Sequence, residues 1–591
     1  MVSLHASEQH HQSGATASLA PHMLQQGTDV GHRLSRVPSE APELADRESL
    51  ISSTPSTSRG NGGLIRATTS PRASRLLIRA LRPRAPLSSE PGRPVQVVPY
   101  GAGLRLVDAV RTTLELHPFV EMQELALLNA RGRLQESRGQ FDATVTALTR
   151  RERQEIPTST TEELALLTNK TSYAVEVSKQ FRTGLTLTPN LSVTRMAETR
   201  LASSAASLLG EIPNQSNLSL NLTQPLRRGR GRDIVGAVER INEIELQASD
   251  RDLTQVRSQR ALVSVVTYWE YLAALRILDV LETSEARSRD LVERTQELID
   301  AGNRPAADLT QAQANLSGHV SQRLGAEQEF VAAGYALALA LGLPTADVDL
   351  PPRPTNDFPP ISENDIPSRT FLVREATEQR ADLAAARDRV QQERLGLTVA
   401  RNALQPRLDL SASAGYVGLN VGGSFGKLFS PFWASLAGPT VSAALTLELP
   451  LINDSAKGQL VQSRSALTQQ MVKLADLERT IGSNVLVAHD NLIRSAKRVR
   501  SSQAAAQLYR TAIVDEQLKQ ELGLSTVIDL IVTEERLTES LTDEIAARLS
   551  HAVAIASLRY EAGTLLRPGP VTEAVDLQRL TTIPRPRPDR P

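Results

Sequence analysis

The stretch LGLSTVIDLIVTEERL (residues 522–537) has a counterpart 221 positions earlier in the chain, AGNRPAADLTQAQANL (residues 301–316). In both stretches a glycine is followed six residues later by an aspartate, and the aspartate stands at the start of a helix-like apolar pattern. Four pairs of residues share this offset: Gly302 and Gly523, Asp308 and Asp529, Leu316 and Leu537, Gly342 and Gly563. One constant offset across four positions indicates an internal duplication.

The flanking residues are duplicated in layout as well. HPFVEMQELALLNARGRLQESRGQFDA (residues 117–143) and RADLAAARDRVQQERLGLTVARNALQP (residues 380–406) are amphipathic and run directly into alternating, strand-like segments. SLNLTQPLRRGRGRD (residues 219–233) and ALTLELPLINDSAKG (residues 444–458) each end a strand-like segment in Pro-Leu and then turn into a long helical pattern. The sequence therefore predicts two copies of one order: helix, strands, long helix, tip and returning helix.

The lengths of these helices predict how they pack. Residues 232–301 contain no proline, so a continuous helix there would be about 105 Å long, and residues 460–522 would give about 95 Å. The remaining helices are about half as long: the entering helices 104–140 and 366–404, and the returning helices 308–341 and 529–562. One returning helix stacked end to end on one entering helix would match one long helix. We therefore expect a bundle of helices roughly 100 Å long.

The chain divides into five parts on this basis. A disordered Ser/Pro/Arg-rich extension (1–95) precedes a first structural repeat (96–343), which has strands in 141–226 and a tip near 302. A proline-rich equatorial linker (344–365) leads to a second structural repeat (366–563), which has strands in 405–451 and a tip near 523. A flexible Pro/Arg-rich tail (564–591) follows.

Composition excludes several functions. The 591 residues carry no net charge, which gives no reason to expect nucleic acid as a partner, and no cysteine, which excludes disulfides, thiolate metal sites and a cysteine nucleophile. The histidines beyond the first 95 residues stand alone without metal-ligand or triad spacing, and RRGRGRD (residues 227–233) lacks the Gly-Lys-Ser/Thr ending of a phosphate loop. We expect no enzyme activity, no metal and no cofactor. The chain contains no run of 18 apolar residues, so we expect no membrane-spanning helix.

The alternating segments allow two interpretations. They fit a soluble antiparallel sheet with one wet face, and they fit a transmembrane β-barrel with lipid outside and water inside. Alternation alone favours the soluble sheet, but eight of the nineteen aromatic residues lie in or beside these segments, as an interfacial girdle requires: Phe141, Tyr173, Phe181, Tyr416, Phe425, Phe429, Phe432 and Trp433. Core packing would place aromatic residues there too. Cyclic assembly of several chains would close open strand edges and cover apolar helix faces together.

Residues 104–563 resemble the TolC-like outer membrane efflux proteins. The resemblance rests on the paired order of features, from VTYWEYLAALRILDVLETSEARSRDLVERTQELIDAGNRPAADLTQAQANL in the first copy to ELGLSTVIDLIVTEERL in the second. It implies an α+β membrane protein built from two internal repeats. Three copies of the chain together form a long α-helical coiled-coil tunnel and a transmembrane β-barrel. It also implies an outer-membrane location in a Gram-negative-type bacterium, contact with outer-membrane lipid, a periplasmic adaptor (membrane fusion) protein as partner, and an inner-membrane pump or ABC exporter.

The resemblance assigns roles to residues of the two tips. Asp308 and Asp529 match acidic positions of the periplasmic gate, although an aspartate in the first turn of a helix also caps it without any pore. The docking positions for the adaptor are Ala301, Gly302, Leu522, Gly523, Leu524 and Ser525. Two departures stand out. Val532 stands where the family has a second acidic residue and the tip arginine position near Ser525 is not basic, so the family's salt-bridge lock is not implied. The insertion 143–220 either lengthens an outer hairpin or adds strands to the family's four per chain.

The function implied is a passive exit duct of a tripartite efflux or type I secretion system. The alternative from another class is a soluble coiled-coil scaffold with an appended β domain, which would not fractionate with membranes. A scaffold has no need to keep the order of helix, strand pair, long helix and glycine tip twice.

Overall fold

The computed structural model describes residues 103–585, apart from gaps at 158–162, 203–205, 209–212, 303, 345–349, 362–365, 422–436, 568 and 570–573. The extension 1–95 lies outside these residues. The chain separates into two units, 1–91 and 92–591, and everything below concerns the second.

The helices of the described residues fall into two series. The first contains α1 (Leu106–Leu116), α2 (Pro118–Gly139), α3 (Arg232–Val235), α4 (Ala237–Asp300) and α5 (Ala307–Leu341). The second contains α6 (Arg369–Gln379), α7 (Ala381–Ala403), α8 (Asp454–Glu521) and α9 (Val527–Glu561), and a short helix, α10 (Leu577–Thr581), follows. The 64 residues of α4 and the 68 of α8 give helices about 96 and 102 Å long.

The half-length helices stack end to end, as predicted. Gly342 follows the end of α5 and Gly563 follows the end of α9, both in the left-handed conformation with φ of +77° and +69°. A Cβ on Gly342 would lie 2.7 Å from the Cα of His117, the residue before α2, and one on Gly563 would lie 3.0 Å from the backbone nitrogen of Arg380, the residue before α7. Only glycine lets each returning helix end so close to the next helix start.

The entering helices differ from the prediction, because each is broken rather than continuous. His117 is extended (φ −71°, ψ 125°) between α1 and α2, and Arg380 takes almost the same angles (φ −69°, ψ 124°) between α6 and α7. Pro118 explains the first break, since a residue before proline is displaced from the helical region. Arg380 has no proline after it; the break there coincides with the close approach of Gly563.

The largest apolar core surrounds the middle of α4. Tyr268, Trp269 and Tyr271 are fully buried, and the Tyr271 ring stacks on Phe330 with 4.9 Å between centroids. The buried tyrosine hydroxyls donate to the carbonyl of Leu104 (3.0 Å) and to that of Pro351 (2.9 Å). Helix α4 is also the one described helix long and apolar enough to span a membrane, with an 18-residue window of mean hydropathy 1.4. Of that window 56% is buried within this chain, as in the core helix of a soluble domain.

The tail from residue 564, predicted to be flexible, is instead packed between residues 574 and 585. Val575 and Leu580 join the core around α4, and Ile583 joins a second core around α8. Buried Arg559 of α9 holds this segment, donating to the carbonyl of Thr582, to its Oγ1 (3.0 Å) and to the carbonyl of Ile583 (3.1 Å). Burial lowers the pKa of Arg559 to about 10, so the guanidinium stays charged at neutral pH. The apolar residues of the tail are too few to show periodicity in the sequence.

One antiparallel sheet combines strands from both series. Its strands are β1 (Thr144–Pro157), β2 (Glu163–Gln180), β3 (Thr186–Ala202), β4 (Ala206–Leu208), β5 (Pro213–Pro225), β6 (Arg407–Val421) and β7 (Ala437–Glu448). The order is β1-β2-β3-β5-β6-β7, with short β4 paired to β3. The sheet adjoins the helices at one end, because α2 leads into β1 and β7 leads into α8.

The two faces of the sheet have opposite character. One row of directly opposed residues on the first face is Ala147, Val175, Leu191, Leu218 and Tyr416. A row on the second face is Thr146, Glu176, Asn190, Ser219 and Gly415, and on that face Thr194 Oγ1 donates to Ser172 Oγ at 3.2 Å. Of the eight aromatic residues noted in the sequence, Tyr173 and Tyr416 are exposed on the apolar face. Phe425, Phe429, Phe432 and Trp433 lie outside the described residues.

Candidate functional site at the helical tips

The second tip is the turn between α8 and α9. Gly523 has φ +72°, its N–H donates to the carbonyl of Gln520 (3.0 Å), and the N–H of Leu524 donates to that of Lys519 (2.8 Å). These paired bonds satisfy the last carbonyls of α8 and end the helix. The apolar side chains of Leu522 and Leu524 are left 65% and 75% exposed.

Asp529 takes part in the N-terminal cap of α9. Its N–H donates to Thr526 Oγ1 (3.2 Å), and its carboxylate accepts from the Thr526 N–H (3.1 Å) and hydroxyl (2.6 Å), a reciprocal capping box. These bonds from the Thr526 hydroxyl and backbone hold the pKa of the exposed Asp529 carboxyl below its usual value. Capping therefore accounts for an aspartate here, and the carboxylate stays charged and accessible.

The first tip is built differently. Helix α4 ends at Asp300, Ala301 and Gly302 follow exposed, and Gly302 has φ +76°. Helix α5 begins without a side-chain cap. Half-buried Asp308 lies one turn after Arg304, and its carboxylate is 3.6 Å from Arg304 Nη1.

Arg304 also joins the two tips. Its Nη2 donates to the backbone carbonyl of Ser525 at 3.4 Å. The Ser525 hydroxyl donates to Glu516, whose carboxylate is 3.0 Å from Lys519 Nζ. These two partners, the hydroxyl first, lower the pKa of Glu516. A chain of polar contacts thus runs from Lys519 of α8 to Asp308 of α5.

The tip network matches the sequence only in part. Asp308, Asp529 and the two glycines lie at the tips, but the basic residue that contacts Asp308 and the backbone of Ser525 is Arg304 of the first tip and not a residue near Ser525. The spacing of Arg304 to Asp308 (i, i+4) and the Thr526-x-x-Asp529 pattern were visible signals in the sequence. Glu516 gave no signal, since it lies on a long charged helix.

An apolar cluster and a polar layer follow the tips along the helices. The cluster contains Leu291, Ile513, Val527, Leu530, Ile531 and Leu537. In the polar layer the Ser284 hydroxyl of α4 lies 2.9 Å from Thr538 Oγ1 of α9 and 3.3 Å from His319 Nδ1 of α5. This layer joins three helices from both series.

Glu534 of α9 is a buried carboxyl group next to this layer. It is only 3% exposed, and its Oε2 has no hydrogen-bond partner among the described residues. Burial raises the pKa of Glu534, opposed by the charge of Arg287 and reinforced by that of Asp290. The fold therefore favours the protonated carboxyl of Glu534. The protonated carboxyl contributes stability at low pH, and that stability is lost as pH rises through the raised pKa.

Replacing Glu534 by glutamine is expected to stabilise the protein at pH 8 by about 1–3 kcal/mol, because the neutral amide keeps the shape of the side chain and removes the charge that burial disfavours. The gain should shrink as pH falls towards 4, because wild-type Glu534 is then protonated as well. Thermal unfolding across this pH range measures both effects. The exposed neighbour Glu535 is the control, since E535Q removes the same charge without relieving burial. A gain that does not depend on pH would contradict the prediction.

Comparisons with known proteins bear on this geometry. No family model matches the chain. The alkaline protease secretion protein AprF of Pseudomonas aeruginosa is 24% identical over 317 residues, 52% of this chain and 62% of AprF, so the match spans less than two thirds of that relative. The outer membrane protein TolC of Vibrio cholerae is 21% identical over 331 residues, 55% of this chain and 73% of TolC.

Solved structures resemble the chain over a larger share. The outer-membrane channel OprN has a TM-score of 0.56 at 16% identity, covering 78% of this chain and 90% of OprN. The Campylobacter jejuni CmeC outer membrane channel has a TM-score of 0.56 at 15% identity, covering 78% of this chain and 85% of CmeC. The outer membrane protein VceC of Vibrio cholerae has a TM-score of 0.55 at 16% identity, covering 78% of this chain and 96% of VceC. At these identities the likeness establishes the fold.

Proposed function

We propose that this chain, which has the fold of the TolC-like outer membrane channels and is related in sequence to AprF and TolC, is an outer-membrane exit duct. It conducts substrates passively from an inner-membrane pump across the periplasm and the outer membrane, in an efflux or type I secretion system. The observation that carries the proposal is a sheet with one apolar and one polar face, joined to helices about 100 Å long.

The sheet supports a transmembrane barrel formed by a homotrimer. Its apolar face leaves large side chains uncovered, including Leu218, Val441 and Leu445, which would face lipid. Its polar face would line the water-filled lumen. The two series of helices would be two internal repeats, and copies of the chain would cover each other's helices around the tunnel.

The tips support the gate and docking roles of the resemblance. Asp308 and Asp529 would line the periplasmic gate, where six carboxylates of a trimer would attract cations. The exposed tip formed by Ala301, Gly302, Leu522, Gly523, Leu524 and Ser525 would receive the periplasmic adaptor, and Leu522 and Leu524 offer it apolar contact. The pump or ABC exporter supplies the energy, so the duct needs no catalytic residue.

Location and assembly test the proposal together. The full chain is produced behind a functional export signal in a bacterium with two membranes, the membranes are separated by density, and samples are run on gels with and without boiling. We expect an outer-membrane band near three chain masses that boiling converts to the monomer. A well-folded protein absent from the outer membrane would overturn the duct and leave the coiled-coil scaffold.

A further inference from the structure

We infer that each copy contributes six strands to the barrel, so that three copies close an 18-stranded barrel in which β7 of one copy pairs with β1 of the next. This inference rests on the proposed function, because it takes the homotrimer from there. It identifies a second copy of this chain as the partner of both sheet edges and assigns the insertion 143–220 to the barrel wall.

Each of the six long strands has one end at the same level, next to the helices, where β1, β3 and β6 begin and β2, β5 and β7 end. Residues opposed at or near this end of each strand pair are Thr144 with Ser178, Gln180 with Thr186, Thr186 with Thr223, Pro225 with Asp409, and Arg407 with Glu448. The β1-β2 hairpin is therefore not displaced outward relative to the others. It covers the full height of β5, β6 and β7 and extends beyond them on the side away from the helices, to the pair Pro157 and Ala165.

The turn between β2 and β3 is fixed to the helical part. Arg182 in this turn donates to the carboxylate of Glu239, in the first turn of α4, at 2.7 and 2.9 Å. The same guanidinium lies over the ring of Phe141, 4.7 Å from its centroid, just before β1. Short turns on one side are typical of membrane barrels, and this turn lies on the side of the helices.

The first strands carry the same apolar band as the others. On β1 the band consists of Val145, Ala147 and Thr149, which oppose Val177, Val175 and Tyr173 of β2. A polar row ends the band at one height across three strands: Arg151, Thr171 and Arg195. Residues of this kind suit the headgroup boundary of a bilayer, so β1 and β2 have the pattern of membrane-crossing strands.

The two edges of the sheet fit each other. Among the described strands, β1 and β7 each pair on one side only. Strand β1 leads away from the helices and β7 returns to them, so the edges of adjacent copies would meet antiparallel with apolar faces on the same side. Unpaired backbone is not tolerated in a bilayer, and six strands are fewer than the eight of the smallest membrane barrels.

The inferred strand number sets the width of the duct. With strands about 4.8 Å apart and tilted by about 40°, 18 strands give a backbone diameter of about 36 Å. Four strands per copy would give about 24 Å by the same relation. The wall facing the lumen would carry mainly Ser, Thr and Asn side chains.

Engineered cysteines test the pairing, because the chain has no native cysteine. Thr446 lies two residues before the end of β7, and Thr146 lies two residues after the start of β1, both on the polar face. We combine T446C in turn with T144C, T146C and L148C, and oxidise the full-chain trimer in outer membranes. At least one pair is expected to give covalent dimers and trimers that survive boiling without reductant, while single variants give none.

The matched control combines T446C with T188C or N190C on β3, which would crosslink only if four strands per copy closed the barrel. A trimer that crosslinks through β3, or that forms no link to β1, overturns the six-strand closure. The unoxidised variants are first tested for the heat-sensitive trimer. If wild type forms no trimer, the proposed function fails, and this inference fails with it.

Discussion

If the chain is the proposed duct, replacing Arg304 by alanine is expected to raise the resting conductance of the reconstituted protein severalfold. Arg304 is the one described residue that contacts both an acidic side chain of the first tip, Asp308, and the backbone of the second tip, at Ser525. Its loss removes the contact between the tips and leaves Asp308 without its cation. Single-channel recording in planar bilayers measures the effect.

Two further variants separate the loss of the contact between the tips from a loss of charge. R304K keeps the charge but cannot make the forked contact, so it should give an intermediate conductance. R294A removes an exposed arginine of α4 that pairs with Asp290 one turn before it, and it should leave the conductance unchanged. Equal conductance of R304A and wild type would show that Arg304 does not hold the tips closed.

Replacing Arg380 by alanine is expected to destabilise the protein by about 3–5 kcal/mol, the usual cost of breaking a buried ion pair on one side. Arg380 is 7% exposed and lies 2.7 Å from Asp382 and 2.6 Å from Glu561. Its guanidinium also lies 5.4 Å from the centroid of the Tyr560 ring. The residue thus joins the start of α7 to the end of α9, and without it two carboxylates lose their cation.

The exposed pair between Arg369 and Asp490, at 2.7 Å, is the matched control. R369A should cost less than about 1 kcal/mol, because solvent screens an exposed pair. Chemical denaturation of the detergent-solubilised protein compares the two variants. Similar losses for R369A and R380A would show that burial does not set the strength of the Arg380 contacts.

Much of this fold was predicted from short-range patterns in the sequence. The ends of the long helices near 302 and 523 followed from the glycines, and the strands followed from alternation, because both signals lie within a few residues. The tail was misjudged, since the packing of Val575, Leu580 and Ile583 depends on α4, α8 and α9, which are distant in sequence. The breaks at His117 and Arg380 were missed, and only the first had a local cause, Pro118.

The sequence by itself determined the element types, their repeated order and the four glycines, two at the tips and two where the half-length helices stack. Only the tertiary structure decided that the insertion forms strands level with the others, that Arg304 reaches Ser525, and that Glu534 is buried while Glu535 is exposed. The physical reason is the same in each case. Helical and strand periods are set by neighbouring residues, whereas strand register, contacts between helices and burial depend on residues far apart in the chain.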